Sequence, residues 1–340
     1  MMTRATVLLC GIAVASPAYA QSNSGLESFF SQNIGLSHDE IGELNEGKPV
    51  VRALPPRAPE EVFLFGAVLI EASPDRYFKY ARDLDGRRRI PGYLGVGRIS
   101  SPPRLADWGD FTLDTDDVQE LKKCKPGDCQ IQMPATPIQD IQQRFDWTTP
   151  SANDRINQLL RERASERLLA YQRQGSTALG AYHDKRDPVD VAGQFAYMLS
   201  YLGALPARLP EFYRYLLDYP NARPANVENE FYWAKVKFGL KPTLRVVHVL
   251  TLRGVRADPV AYAVAEKQLY ASHYFETALD LTFCVRASDS RSRFFLISIL
   301  GSEQAGLKGP KGFVIRKAAV GRSLSYLRDA LSQTKSALEN

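Results

Sequence analysis

The stretch Glu266-Lys267-Gln268-Leu269-Tyr270-Ala271-Ser272-His273-Tyr274-Phe275 runs on into Glu276-Thr277-Ala278-Leu279-Asp280-Leu281-Thr282-Phe283-Cys284-Val285. Aromatic and β-branched residues dominate it, proline and glycine are absent, and apolar positions recur at every second residue, which is the signature of extended strand. Leu269, Ala271, His273 and Phe275 fall on one face by this alternation. An imidazole therefore stands among apolar neighbours in what reads as a buried surface. Whether Phe275 to Ala278 is a tight turn or a bend in one long strand is left open by the pattern.

Outward from this stretch, Phe231 to Phe238, Leu244 to Leu252, Ala265 to Phe275, Thr277 to Val285 and Phe294 to Leu300 form extended segments with short connections. That spacing predicts a consecutive antiparallel sheet. His248 shares a face with Leu244, Val246, Leu250 and Leu252. A hairpin turning at Asp258-Pro259 would bring His248 towards His273, with Glu266, Tyr270 or Glu276 nearby, although strict alternation puts those three on the face opposite His273. The plainest reading of each imidazole is a core histidine satisfied by backbone or a tyrosine hydroxyl. Ligand contact is the rival, and metal binding or acid–base chemistry the third reading. After Gly306 to Gly312, one long helix places Phe313, Val320, Leu324, Leu327, Leu331 and Leu338 on one face, long enough to cross a whole sheet.

Upstream, Val62 to Ile70 is a strongly apolar strand, followed by Ser73 as a cap, Pro74 at a first helical position and a helix carrying Tyr77, Phe78, Tyr80 and Ala81. Gly92 to Pro103 is loop-like, with Val96 to Ile99 a strand candidate. Asp114-Thr115-Asp116-Asp117 reads as an acidic cap before Val118 to Lys123, because a calcium loop would need spaced ligands and a sharp glycine turn. Cys129 to Met133 reads as a short strand. From about 137 to 222 the period becomes helical. Ile138, Ile141 and Phe145 mark one piece, and Ile156, Leu159, Leu160, Ala164, Leu168 and Leu169 a longer one. Val191 to Leu202 and Leu209 to Tyr219 follow. Their aromatic stripes read as core, with the lining of an apolar tunnel as the alternative.

Residues 1 to 20 have the form of a secretory leader: Arg4, an apolar stretch from Ala5 to Ala15, and Ala18-Tyr19-Ala20 before Gln21. Residues 21 to 60 read as a leader that packs on the domain without forming it, and residues 61 to 340 as the domain. The chain has 43 basic and 38 acidic residues, a formal charge of +5, or +4 once Arg4 is removed. This mild, unclustered basicity excludes a nucleic-acid binder and allows weak attraction of the C-terminal region to anionic lipid. Cys124 and Cys129 flank Lys125-Pro126-Gly127-Asp128. In an oxidising compartment this favours a small disulfide loop over metal or redox roles. Together these features predict a periplasmic protein with Cys284 as a buried free thiol. No G-x-S-x-G, H-E-x-x-H, Walker or dinucleotide-binding pattern occurs, so no cofactor and no metal is implied.

The order of elements resembles the START-like (SRPBCC, Bet v 1-like) superfamily. Val62 to Ile70 with Ser73-Pro74-Asp75 looks like its opening strand and helix. Gly309-Pro310-Lys311-Gly312 into Phe313 to Leu338 looks like its closing helix. The resemblance implies an α+β helix-grip fold, a curved antiparallel sheet packed on a long C-terminal helix, with the block at 137–222 as an insertion. It also implies a cavity between sheet and helix that holds a lipid or other hydrophobic small molecule. His248, His273, Leu269, Phe275 and Leu250 are the contacts expected there, in a binding protein without catalytic residues. A cyclase, isomerase or hydrolase using the same cavity, and an envelope interaction protein, are the alternatives. Phe238-Gly239-Leu240-Lys241-Pro242 and Lys267 to Phe275 also resemble a family of exported bacterial proteins, which implies export and no mechanism.

Overall fold

The structure is a computed structural model that describes residues 25–88, 90, 92–201, 208–237, 241–254, 259–287, 292–307 and 309–340. The leader at 1–20, the segment Phe238-Gly239-Leu240 and the Asp258 side of the expected hairpin turn lie outside these residues.

Among the described residues eight strands form one antiparallel sheet: β1 (Val50–Leu54), β2 (Glu61–Ile70), β3 (Tyr93–Ile99), β6 (Val227–Val236), β7 (Thr243–Arg253), β8 (Val260–Ala271), β9 (Thr277–Arg286) and β10 (Phe294–Glu303), while the short β4 (Ala181–Tyr182) and β5 (Val189–Asp190) pair with each other apart from it. The spatial order is β1-β2-β10-β9-β8-β7-β6-β3. Strands β6 to β10 are the consecutive run predicted from alternation, and the short connections make each pair antiparallel. Of the three early strands, β2 flanks this run against β10 and β3 against β6, with β1 outside β2.

The long stretch does not continue as one strand. β8 ends at Ala271, and β9 starts at Thr277. Between them Tyr274 takes a positive φ of 64°, a left-handed conformation that ends a ladder. Cys129 to Met133 makes no strand. It is a strap tied by Cys129 N–H to Asp184 O and by Gln132 N–H to Ser272 O, and closed by the Cys124–Cys129 disulfide. Nor does the 21–60 segment merely pack on the domain. Val50 to Leu54 pairs with residues 63–67 of β2 as an edge strand.

Every residue of β2 is buried, as its unbroken apolar run requires of a strand covered on both faces. Its two faces meet different partners. Val62, Leu64, Val68 and Ile70 join Leu327, Leu331 and Leu338 of the C-terminal helix, α9 (Gly309–Glu339). Gly66 lies directly under that helix: a Cβ there would stand 2.9 Å from Leu327 Cδ2 and Leu331 Cδ1. Phe63, Phe65, Ala67 and Leu69 point the other way, into a larger core shared with residues between β3 and β6.

That second layer contains α4 (Thr115–Leu121), α5 (Ala135–Arg144), α6 (Ala152–Gln174), α7 (Val191–Ser200) and α8 (Pro210–Asp218). The remaining helices are α1 (His38–Asn45), capped reciprocally by Ser37 and Glu40, and the pair α2 (Pro74–Ala81) and α3 (Leu84–Arg87). Phe195, Phe212 and Tyr215, on the aromatic stripes, are core residues at 1–2% exposure. The sheet is thus the middle of three layers, with the inserted helices on one side and α2, α3 and α9 on the other. Among the described residues no helix is long and apolar enough to cross a membrane.

Candidate functional site

Alternation along β7 and β8 sends Leu244, Val246, His248, Leu250, Ala265, Lys267 and Leu269 to the face covered by the inserted helices, not to the face under α9. The expectation of imidazoles between sheet and C-terminal helix is therefore corrected by the geometry. An amphipathic helix reveals that it has a buried side but not which side of a sheet it will cover.

His248 is fully buried. Its Nε2 donates to Asn229 Oδ1 at 2.8 Å, and its Nδ1 accepts from the Tyr171 hydroxyl at 2.9 Å. Asn229 Nδ2 in turn donates to the Tyr215 hydroxyl at 3.1 Å. This arrangement uses the neutral imidazole. Burial first, and the Lys267 charge second, hold His248 well below its ordinary value. His273 stands elsewhere, beyond the end of β8, where Nε2 meets Asp117 Oδ2 at 2.9 Å and Nδ1 meets Gln130 O at 3.0 Å. Burial pushes the Asp117 carboxyl up, but hydrogen bonds and charge from His273 and Lys241 outweigh it and leave Asp117 low. The two imidazoles are not brought together, because the register sets His248 opposite Lys267.

Of the other expected contacts, Leu250 is buried in the core beside this network. Phe275 lies half-buried in the turn after β8, its ring 5.9 Å from the Arg245 guanidinium. Leu269, and none of the other four, lines the cavity that the described residues form on this face. That cavity, about 370 Å³, lies between the sheet and the inserted helices. Leu244, Val246, Leu269 and Tyr270 form its floor; Ile141 of α5 and Leu159, Leu160, Ala164, Leu168 and Tyr171 of α6 form much of its wall. Asp140, Arg163, Glu166 and Arg167 supply its polar margin.

Beside the cavity lies a group that sequence reasoning passed over. Lys267 is fully buried, with Nζ 3.6 Å from the centroid of the Phe195 ring and 5.5 Å from that of Tyr171. Nζ donates to Ser176 Oγ at 2.6 Å. Among the described residues it makes no ion pair. Burial pushes the ammonium down to about 7. The signal was available: Lys267 shares the parity of Leu269 and Ala271, so extending the alternation two residues back puts a lysine in the core.

The face under α9 carries a different chemistry. Glu266 accepts from Arg87 at 2.5 Å and from the Tyr232 hydroxyl at 2.6 Å. Burial would raise this carboxyl, but Arg87 and Tyr232 hold it at about 2. Asp280, its register partner on β9, is pushed up to about 6 by burial. Among the described residues no group of three or more histidine, cysteine, aspartate or glutamate side chains is placed to hold a metal ion.

No protein-family model matches the chain, and no curated protein matches it either.

Proposed function

We propose that this is an exported START-like, helix-grip protein that holds a lipid acyl chain or another hydrophobic small molecule. The observation that carries the reading is the cavity of about 370 Å³ with apolar walls, within the ~300–1,000 Å³ typical of small-molecule sites. Its occupant would lie between the sheet and the inserted helices, Leu269 and Tyr270 beneath it, with the charged groups of α5 and α6 at the mouth. The order β2, α2, α3, then the consecutive strands and α9 supports the helix-grip assignment. The Cys124–Cys129 disulfide supports an oxidising compartment such as the periplasm.

Native mass spectrometry of protein purified from an exporting host tests this. The expected result is retained mass that extracts into organic solvent. A chain that carries no such mass, and that takes up no fatty acid or phospholipid when offered either, overturns the reading.

A further inference from the structure

The geometry points to Ser176 and Lys267 as a serine–lysine nucleophile pair that cleaves acyl esters. Ser176 follows α6 in a tight 3-10 turn, Gly175–Leu179. Gly175 has φ of 70°, and a Cβ on it would stand 1.8 Å from the Tyr219 carbonyl oxygen, so only glycine fits and the turn is held in one place. The hydroxyl is thereby fixed 2.6 Å from Lys267 Nζ. Ser176 is half-buried while Lys267 is sealed beneath it, which leaves the serine as the member of the pair that a substrate reaches.

The amine is equipped to be a base. A lysine held in a core for architecture alone is ordinarily paired with a carboxylate, whereas this one rests on the ring of Phe195 and on a hydroxyl. The titratable groups facing it are His248 from β7 and Tyr171 from α6; α7 contributes Phe195, and β9 contributes Leu279 as register partner. The neutral imidazole and the buried phenol add no negative charge to hold the proton on Nζ, in keeping with its value of about 7. With the amine neutral, the hydrogen bond reverses and the Ser176 hydroxyl donates to Nζ, the arrangement of a base-activated nucleophile.

The step balances with water alone. Ser176 Oγ bonds to the ester carbonyl carbon as its proton passes to Nζ. The carbon–oxygen bond to the alcohol then breaks, and the alcohol leaves with that proton. Water, losing a proton to the same amine, attacks the acyl-serine, and the carboxylic acid departs as the hydroxyl is restored. The choice of an apolar acyl group rests on the proposed use of the cavity, which shares Tyr171 with the surroundings of Nζ and Leu179 with the turn that carries Ser176.

The test uses the full chain, an alkyl fluorophosphonate probe, and a series of p-nitrophenyl esters of short and long acyl chains. Adduct formation mapped to Ser176, absent in Ser176→Ala and slowed roughly 100-fold or more in Lys267→Met, is expected for loss of a general base. In the unaltered chain, the labelling rate should rise as pH passes through about 7, where Lys267 loses its proton; this readout needs no variant to fold. No adduct on Ser176, or equal labelling of a folded Lys267→Met chain, overturns the pair. Labelling with equal turnover of short and long esters keeps the pair and sinks the cavity as acyl site. Retained lipid with an inert Ser176 does the reverse.

Discussion

Lys267 stands directly across from His248 in the β7–β8 ladder, two basic side chains side by side on one buried face. The imidazole is satisfied as a neutral group by Asn229 and Tyr171, whereas among the described residues the amine hydrogen-bonds to Ser176 alone and otherwise rests on the Phe195 ring. Like charges so placed would repel, and burial pushes both groups towards their neutral forms.

The first prediction follows from Lys267. An unfolded lysine keeps its proton to about pH 10.4, whereas this one gives it up near 7 in the folded chain. Between those limits the unfolded state binds more protons, so stability rises with pH from about 7 upward. Lys267→Met removes the buried charge. It should be more stable than the unaltered chain at pH 7, with the gap narrowing at pH 9.5. Urea midpoints at the two pH values check this, and parallel profiles would count against it.

A second concerns the pair Asp117 and His273, 4% and 5% exposed. Because the folded Asp117 carboxyl lies below its usual value, its contribution is complete above about pH 4, the unfolded carboxylate value, and is lost as pH falls through the folded one. Asp117→Asn should cost about 3 kcal/mol at pH 7, since it strands a buried partner. It should also flatten the acid limb of a thermal-melt series between pH 2.5 and 5.

The third is steric. In Gly66→Val the added carbons meet Leu327 and Leu331, and α9 must lift from β2. The expected loss is about 1–3 kcal/mol, with faster amide exchange along α9 and unchanged exchange in α6.

A fourth tests the cavity wall. Ala164→Leu on α6 fills part of the space. It should raise the melting point of the ligand-free chain by the equivalent of about 0.5–2 kcal/mol and reduce lipid retained in native mass spectra. Unaltered retention would place the ligand elsewhere.

Much of the sheet was readable because β2 and β6 to β10 are long and carry their period in full. The C-terminal helix was readable because Val320, Leu324, Leu327, Leu331 and Leu338 recur at helical spacing. The partner of each helix was not, since pairing across the chain leaves no local trace. Val50 to Leu54 was passed over for a related reason: five residues before Pro55-Pro56 have too little pattern to declare a strand whose partner is β2. Asp117 reads as part of an acidic cap, and it does lie in the first turn of α4, which Asp114 opens, but its carboxylate is turned to His273, 156 residues away. Alternation puts Phe275 on the His273 face only if it is carried through Ser272 to Tyr274, where the backbone turns.

The short strand β1 has a consequence for the rim of the sheet. It occupies the hydrogen-bonding edge of β2 at residues 63–67, next to a strand apolar on both faces. Without it, that edge would offer free amides and carbonyls beside Phe63, Leu64 and Phe65, a template for another chain to add to. A chain starting after Pro56 should therefore self-associate, seen as dimers and larger species in light scattering, while a separately supplied peptide spanning 48–56 should restore the monomer.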